Sequence, residues 1–154
     1  EFLVHYGDIL TDLNLRSMVR LHRQKVQSDG CVCTIALSKA PRMEVGVGYS
    51  NRCLRVISFK EKPKVTEISK HLVNMGIAVC NTKILKYCRR GADLFGDVIP
   101  RLISSGEFVY SYVTSESFVD IGTMSALESA VKIRSLPRLR YRNRSYLRGK
   151  HVCC

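Results

Sequence analysis

The sequence contains no apolar run approaching the roughly 18 residues that a membrane-spanning helix needs. It also lacks the secretory pattern of a basic start, an apolar stretch and a small-residue cleavage site. No internal repeat or low-complexity segment precedes the basic residues near the C-terminal end. From these absences we expect a soluble, cytoplasmic protein without a membrane partner.

Cysteine and histidine spacings typical of zinc sites are missing as well. The seven cysteines are an odd number, and neither Cys31-Val32-Cys33 nor Cys153-Cys154 has zinc-site spacing. The four histidines are dispersed. An odd number of cysteines scattered through apolar segments is typical of reduced thiols. We expect the strand cysteines to pack as small buried hydrophobic side chains.

The chain does contain enough apolar residues for one folded domain, since 45% of its 154 residues are hydrophobic. The formal net charge of +12 is concentrated at one end. Residues from Lys132 onward include eight Lys or Arg and no acid, which leaves 17 basic against 13 acidic residues before them. Pro137 is expected to follow the last helix. We therefore divide the chain into a domain at 1–133 and a basic tail at 134–154.

The tail interleaves arginines with two tyrosines between Arg138 and Arg148. Segments of this kind sometimes bind nucleic acid or another polyanion. The alternative is a solvated and flexible tail without a binding role. No nucleic-acid partner is expected for the rest of the chain.

The periodic segments of the domain predict alternating strands and helices, which is the pattern of an α/β protein. Apolar runs predict a buried first strand at 2–6 and further strands at 31–38, 45–49, 53–59, 72–80, 107–113 and 118–119. Helical spacing predicts helices over 15–26, 84–88 and 95–103 and after Thr123, which can cap the last one. Asp97 is expected to cap the helix over 95–103, which places Pro100 in its first turn.

Two aspartates far apart in the sequence are candidate metal ligands. Asp8 follows an apolar segment and Gly7, and Asp120 follows Phe118-Val119. Each carboxylate is therefore expected where a strand ends, and ligands of α/β sheets collect at such positions. One or two carboxylates together with substrate phosphates usually hold Mg²⁺. The alternative is that both are ordinary turn or cap residues.

Four short motifs occur in order along the domain: Tyr6-Gly7-Asp8, Glu61-Lys62-Pro63, Asn74-Met75-Gly76-Ile77 and Asp120-Ile121-Gly122-Thr123. Together they resemble the sugar-phosphate nucleotidylyltransferases, the nucleotide-diphospho-sugar pyrophosphorylases. Mannose-1-phosphate guanylyltransferases and glucose-1-phosphate thymidylyltransferases belong to that family. The resemblance implies a three-layer α/β fold with a mixed, mainly parallel sheet.

The resemblance also implies the chemistry and the residues that carry it. A nucleoside triphosphate would transfer its nucleotidyl group to a sugar-1-phosphate, giving an NDP-sugar and pyrophosphate. Asp8 and Asp120 would bind Mg²⁺. The remaining candidates would bind substrate, with Lys62 on the sugar phosphate, Glu61 on sugar hydroxyls, and the others lining the sugar pocket: Gly7, Gly46, Asn74 and Gly76. Without the resemblance, Lys62 reads as a surface lysine and Asn74 as a residue that satisfies backbone groups.

The family's opening strand and glycine-rich nucleotide loop have no counterpart here. Gly46-Val47-Gly48 precedes a turn signal rather than a helix, so it is not such a loop. We therefore expect the C-terminal portion of a nucleotidyltransferase domain, truncated or processed and inactive alone. One alternative is a non-catalytic regulatory or scaffold subunit of the same fold, and a weaker one is a polyanion-binding module. An oligomer is compatible with the sequence.

Overall fold

A computed structural model of the protein describes residues 1–39, 47–60, 72–116 and 118–132. The basic tail predicted at 134–154 lies outside the described residues. The strands are β1 (Phe2–His5), β2 (Ile9–Thr11), β3 (Cys33–Ser38), β4 (Val47–Ser50), β5 (Val56–Lys60), β6 (Leu72–Cys80), β7 (Val109–Thr114) and β8 (Phe118–Asp120). The helices are α1 (Leu15–Asp29), α2 (Ile99–Ser104) and α3 (Met124–Lys132). A 3₁₀ helix at Thr82–Tyr87 and a π-helical turn at Leu94–Val98 precede α2.

The main sheet has six strands, with β5, β4, β6, β3 and β7 as successive neighbours and β1 as a further partner of β6. A second, two-stranded sheet consists of β2 and β8. The mixed α/β architecture predicted from the sequence is confirmed. The expected parallel character needs a refinement, because β3–β7 is the parallel ladder and the other ladders of the described sheet are antiparallel. Strands β1, β3, β4 and β7 share one direction, and β6 runs against them between β1 and β3.

Two apolar clusters cover the two faces of the sheet and give the fold its three layers. Long strand β6 contributes to both, because successive side chains of a strand point to opposite faces. One cluster joins the sheet to α1 and the β2–β8 pair and includes Ile9, Leu13, Met18, Ala36, Val73, Met75, Ile77, Val79 and Phe118. The other joins the sheet to α2 and the turns before it and includes Ile35, Leu37, Ala78, Ile84, Phe95, Val98, Ile99 and Leu102.

Helix α1 begins and ends with residues suited to its termini. The side chain of Asn14 accepts a hydrogen bond from Ser17 N at 3.0 Å, which satisfies one free N–H of the first turn. Gly30 ends the helix with a φ of 69°, a left-handed conformation that glycine adopts without steric cost. The helix buries Met18 and His22 against the sheet. Among the described residues, no helix is long and apolar enough to cross a membrane.

Two predictions about local structure are wrong. The first strand is exposed rather than buried, because β1 pairs with β6 alone within the described part of the chain and keeps an open edge. The helix that contains Pro100 begins differently, since Asp93 and not Asp97 is the cap of the preceding π-helical turn. Asp97 instead accepts a hydrogen bond from Asp93 N at 2.9 Å. Pro100 still lies in the first turn of α2, as predicted.

Candidate active site

The pairing of the two short strands brings the two aspartates together. Asp8 lies in the turn between β1 and β2, directly before Ile9, which pairs with Asp120 at the end of β8. The backbone N–H of Ile121 donates to the carbonyl of Asp8 at 2.7 Å. Because the strands are antiparallel, the start of β2 meets the end of β8, and both carboxylates lie at the same end of the pair.

Gly122 lies between the two carboxylates. A β-carbon on Gly122 would lie 2.9 Å from Asp8 Oδ2 and 3.1 Å from Asp120 Oδ1. These two oxygens are therefore separated by at most the sum of those distances, about 6 Å. Gly122 N also donates to Asp120 Oδ1 at 2.8 Å, which orients that carboxylate. The predicted proximity of the aspartates is confirmed, whereas their role as metal ligands stays a prediction.

The donor set suits a hard divalent cation. Asp8 and Asp120 are both exposed, so water or a phosphate can complete the coordination of an ion between them. Across the ranges that the structure describes, no group of three or more His, Cys, Asp or Glu side chains forms a metal cage. Two carboxylates with room for substrate oxygens are the arrangement in which Mg²⁺ is usually held.

Asn74 and Gly76 form a bulge in the central strand β6, close to the aspartates. Leu37 pairs with Asn74 and Ile35 with Ala78, so one residue of β3 opposes three of β6. Asn74 Oδ1 accepts a hydrogen bond from Gly76 N at 3.1 Å. The alternative reading of Asn74 as a residue that satisfies the backbone is therefore supported for its oxygen. A contact between Asn74 and a sugar would be made by its amide nitrogen, and that contact stays a prediction.

Gly76 lets the turn that carries Asp8 approach the sheet closely. Its φ is 68°, and a β-carbon there would lie 3.2 Å from Ile9 Cγ1 and 3.3 Å from Tyr6 Cδ2. Its carbonyl accepts a hydrogen bond from Tyr6 N at 3.0 Å. The bulge therefore packs directly against the turn from Tyr6 to Ile9. Gly7, in that turn, is exposed, and a β-carbon on it would meet no atom within 4 Å.

Asp93 is linked to the site through Tyr6, and no motif in the sequence predicted this link. The hydroxyl of Tyr6 donates to Asp93 Oδ2 at 2.9 Å. The Tyr6 ring packs edge-on against Phe95, with 5.3 Å between the ring centroids. Asp93 carries no local signal beyond its capping position, because a contact across 87 residues of sequence leaves no periodic pattern. Gly122 belongs to the Asp120-Ile121-Gly122-Thr123 motif, but the motif alone does not indicate that this glycine lies between the two carboxylates.

Three predicted substrate-binding residues, Gly46, Glu61 and Lys62, lie outside the described residues. Glu61 directly follows the last residue of β5. Phe59 of that strand is buried, and its ring centroid lies 6.0 Å from that of Phe95. Since Phe95 also contacts Tyr6, the end of β5 is linked by aromatic packing to the turn that carries Asp8.

The chain is similar in sequence to known proteins. Residues 1–134 match a family model described as nucleotidyl transferase. A UTP–glucose-1-phosphate uridylyltransferase of Synechocystis sp. is 33% identical over 136 residues, which cover 85% of this chain and 34% of that protein. A glucose-1-phosphate adenylyltransferase of Clostridium perfringens is 27% identical, over 83% of this chain and 34% of that protein. The chain spans about a third of the length of these relatives.

Solved structures show the same fold at lower sequence identity. HddC from Yersinia pseudotuberculosis superposes with a TM-score of 0.65 at 20% identity, over 85% of this chain and 54% of that one. A second structure of HddC, complexed with GMP-PN, gives a TM-score of 0.63 at 19% identity. At these identities the likeness concerns the fold alone.

Proposed function

The chain belongs to the nucleotidyl transferase family, and on that premise we propose that it forms the sugar- and metal-binding part of a sugar-1-phosphate nucleotidyltransferase. The complete protein would transfer a nucleotidyl group from a nucleoside triphosphate to a sugar-1-phosphate and release pyrophosphate. The observation that carries the proposal is the convergence of the Asp8 and Asp120 carboxylates on Gly122, beside the bulge at Asn74 and Gly76.

This reaction needs alignment and charge neutralisation more than it needs a catalytic base. The phosphate of a sugar-1-phosphate is already a nucleophile at neutral pH, and it attacks the α-phosphate in line. Two anions must approach each other during this step. A Mg²⁺ ion held by Asp8 and Asp120 would reduce the repulsion between them.

The other residues are proposed to hold the sugar phosphate. Lys62 would place a positive charge beside its phosphate, and Glu61 would accept hydrogen bonds from its hydroxyls. Asn74 and Gly76 would line the pocket from β6, and Gly7 and Gly46 would allow backbone to approach the substrate. Nothing in the sequence resembles the family's glycine-rich nucleotide loop. We therefore propose that the 154-residue chain binds glucose 1-phosphate or a related ligand without releasing pyrophosphate from a triphosphate.

Calorimetry on the purified chain tests this proposal. Asp8→Asn and Asp120→Asn should each weaken Mg²⁺ binding in the presence of glucose 1-phosphate by about tenfold or more, because a charged ligand is lost. Asp12→Asn is the matched control, since Asp12 is an exposed carboxylate near the end of β2. Equal Mg²⁺ affinity in all three variants would refute the metal site.

The same measurement separates the roles of the two residues after β5. Lys62→Ala should lower the affinity for both glucose 1-phosphate and inorganic phosphate about tenfold or more, and Lys62→Arg should restore part of it. Glu61→Gln should weaken the sugar phosphate more than inorganic phosphate. Unchanged affinity of Lys62→Ala for both ligands would return this lysine to a surface role. Rapid pyrophosphate release by the chain alone would contradict the proposal that this chain binds the sugar phosphate without catalysing the transfer.

A further inference from the structure

Two buried cysteines face each other across the centre of the sheet. Cys33 in β3 and Cys80 in β6 are opposite in the register, and their sulfur atoms are 3.6 Å apart. Both side chains are fully buried, and both thiols are free. They lie at the end of β6 away from the bulge, outside the proposed substrate site.

The backbone hydrogen bonds show which kind of pair this is. Asn81 N donates to Val32 O at 2.9 Å, which joins the residue after Cys80 to the residue before Cys33. In an antiparallel ladder that bond marks Cys33 and Cys80 as a pair that exchanges no backbone hydrogen bonds. The α-carbons of such pairs are about 4.5 Å apart, which lies inside the range of about 4.4 to 6.8 Å found for disulfides.

We propose that Cys33 and Cys80 form a modification site, a dithiol that closes to a cross-strand disulfide by exchange with a small-molecule disulfide. The sulfur atoms need to move closer together, whereas the backbone is already placed for the bond. Exposed Cys53 and Cys88 differ, because within the described residues neither has a cysteine opposite it in the sheet.

The two thiols have different roles in this exchange. The hydrogen bond between the two thiols lowers the pKa of Cys80, although burial opposes that shift. The same contact, together with burial, raises the pKa of Cys33 well above its ordinary value. Cys80 lies beside the edge strand β1, whereas Cys33 lies in β3 between β6 and β7. A small disulfide therefore reaches Cys80 first, which makes Cys80 the attacking thiol and Cys33 the resolving thiol.

The exchange balances without a further oxidant. The Cys80 thiolate attacks one sulfur of oxidised glutathione, the S–S bond of glutathione breaks, and one glutathione thiolate leaves. The sulfur of Cys33 then attacks the Cys80 sulfur of the mixed disulfide and displaces the second glutathione thiolate. The protons of the two protein thiols end on the two glutathione thiols. Two protein thiols are oxidised and one small disulfide is reduced.

Access to Cys80 depends on the edge strand β1. Phe2 of β1 pairs with Cys80, and β1 has an open edge among the described residues. Strands with few buried contacts open locally at low cost, so separation of β1 from β6 would expose Cys80 to solvent. We therefore expect the rate of oxidation to follow the opening of β1.

The experiment uses the full chain with Cys53, Cys88, Cys153 and Cys154 replaced by serine, which leaves Cys31, Cys33 and Cys80. After incubation with oxidised glutathione, mass spectrometry should show the loss of two hydrogens and a linked peptide pair containing Cys33 and Cys80. The thermal midpoint should rise by several degrees, because the bond closes a long loop. Cys33→Ser should stop at a glutathione adduct on Cys80.

Matched variants make the result decisive. Leu3→Gly in β1 should speed disulfide formation severalfold, whereas Ile57→Gly, at an exposed position of β5, should not. Cys31→Ser should form the same disulfide at an unchanged rate. The proposal is overturned if Cys31 pairs with Cys33, or if Cys33 and Cys80 both remain reduced in the Leu3→Gly chain.

Discussion

At the scale of single residues, Gly122 shows how little room the proposed metal site has. A methyl group there would lie 2.9 Å from Asp8 Oδ2, closer than carbon and oxygen normally approach. We predict that Gly122→Ala lowers Mg²⁺ affinity about tenfold or more, because one or both carboxylates must turn away. Stability should change little, since Gly122 is exposed. Calorimetry and thermal unfolding measure the two effects.

Gly7→Ala is the control for that experiment. Gly7 directly precedes Asp8 in the sequence, so it is also a glycine next to the proposed metal site. A β-carbon on Gly7, however, would meet no atom within 4 Å. Both variants are measured with Mg²⁺ alone, without a sugar phosphate, because Gly7 is proposed to lie beside the substrate. Under that condition the Mg²⁺ affinity of Gly7→Ala should stay at the wild-type value. If Gly122→Ala and Gly7→Ala behave alike, the spacing between the carboxylates does not determine cation binding.

His22 is a second residue whose environment predicts a measurable property. It is fully buried, its Nδ1 lies 3.0 Å from Thr34 Oγ1, and its Nε2 has no hydrogen-bond partner in the described structure. Burial lowers the pKa of His22, because the charged imidazolium loses its hydration. Between that lowered pKa and the value of about 6.5 for an unfolded chain, only the unfolded chain binds the proton. Folding stability should therefore fall as the pH drops below about 6.5.

Urea unfolding at about pH 7 and about pH 5.5 tests the sign of this effect. The wild-type chain should lose more stability on acidification than His22→Gln, which cannot take up the proton. His5→Gln should behave like the wild type, because His5 is exposed in β1. An equal loss of stability in the wild type and in His22→Gln would show that another group causes the loss of stability at acidic pH.

At the scale of elements, long periodic segments were predictable and short ones were not. Helix α1 and strand β6 follow from spacing, because each has enough residues to show its period. Strand β2 has three residues and was not predicted, since so short a segment has no period of its own. The exposure of β1 also escaped prediction, because its apolar composition does not tell which neighbours are present.

The bulge in β6 gives the prediction that belongs to this scale. Gly30→Ala places a β-carbon on a residue with φ of 69° but meets no atom within 4 Å, so it should cost about 1 kcal/mol. Gly76→Ala has a similar φ of 68° and also crowds Ile9 and Tyr6, so it should cost about 2 to 3 kcal/mol. Urea unfolding measures the difference. Equal costs would mean that the turn carrying Asp8 moves freely over β6.

At the scale of the whole molecule, the family resemblance carried by the four ordered motifs implied the three layers, but the strand order was not predicted. Nothing in the residues of β6 states that it inserts between β1 and β3, because that choice depends on all the strands together. The meeting of Asp8 and Asp120 was predictable from the rule that ligands collect at strand ends. The separate β2–β8 pair that brings them together was not, since pairing across the chain leaves no local pattern.

The distribution of charge over the whole chain leads to the last prediction. Ending the chain at residue 133 removes seven Lys or Arg and no acid, so most of the excess positive charge is lost. If the domain boundary is correct, the chain 1–133 should keep its thermal midpoint and its affinity for glucose 1-phosphate. Heparin, as a model polyanion, should bind the full chain with a steep salt dependence and the shortened chain far more weakly, because each released counterion adds to the slope. A lower thermal midpoint in 1–133 would show that the tail contributes to the fold, and unchanged heparin binding would place the polyanion surface on the domain itself.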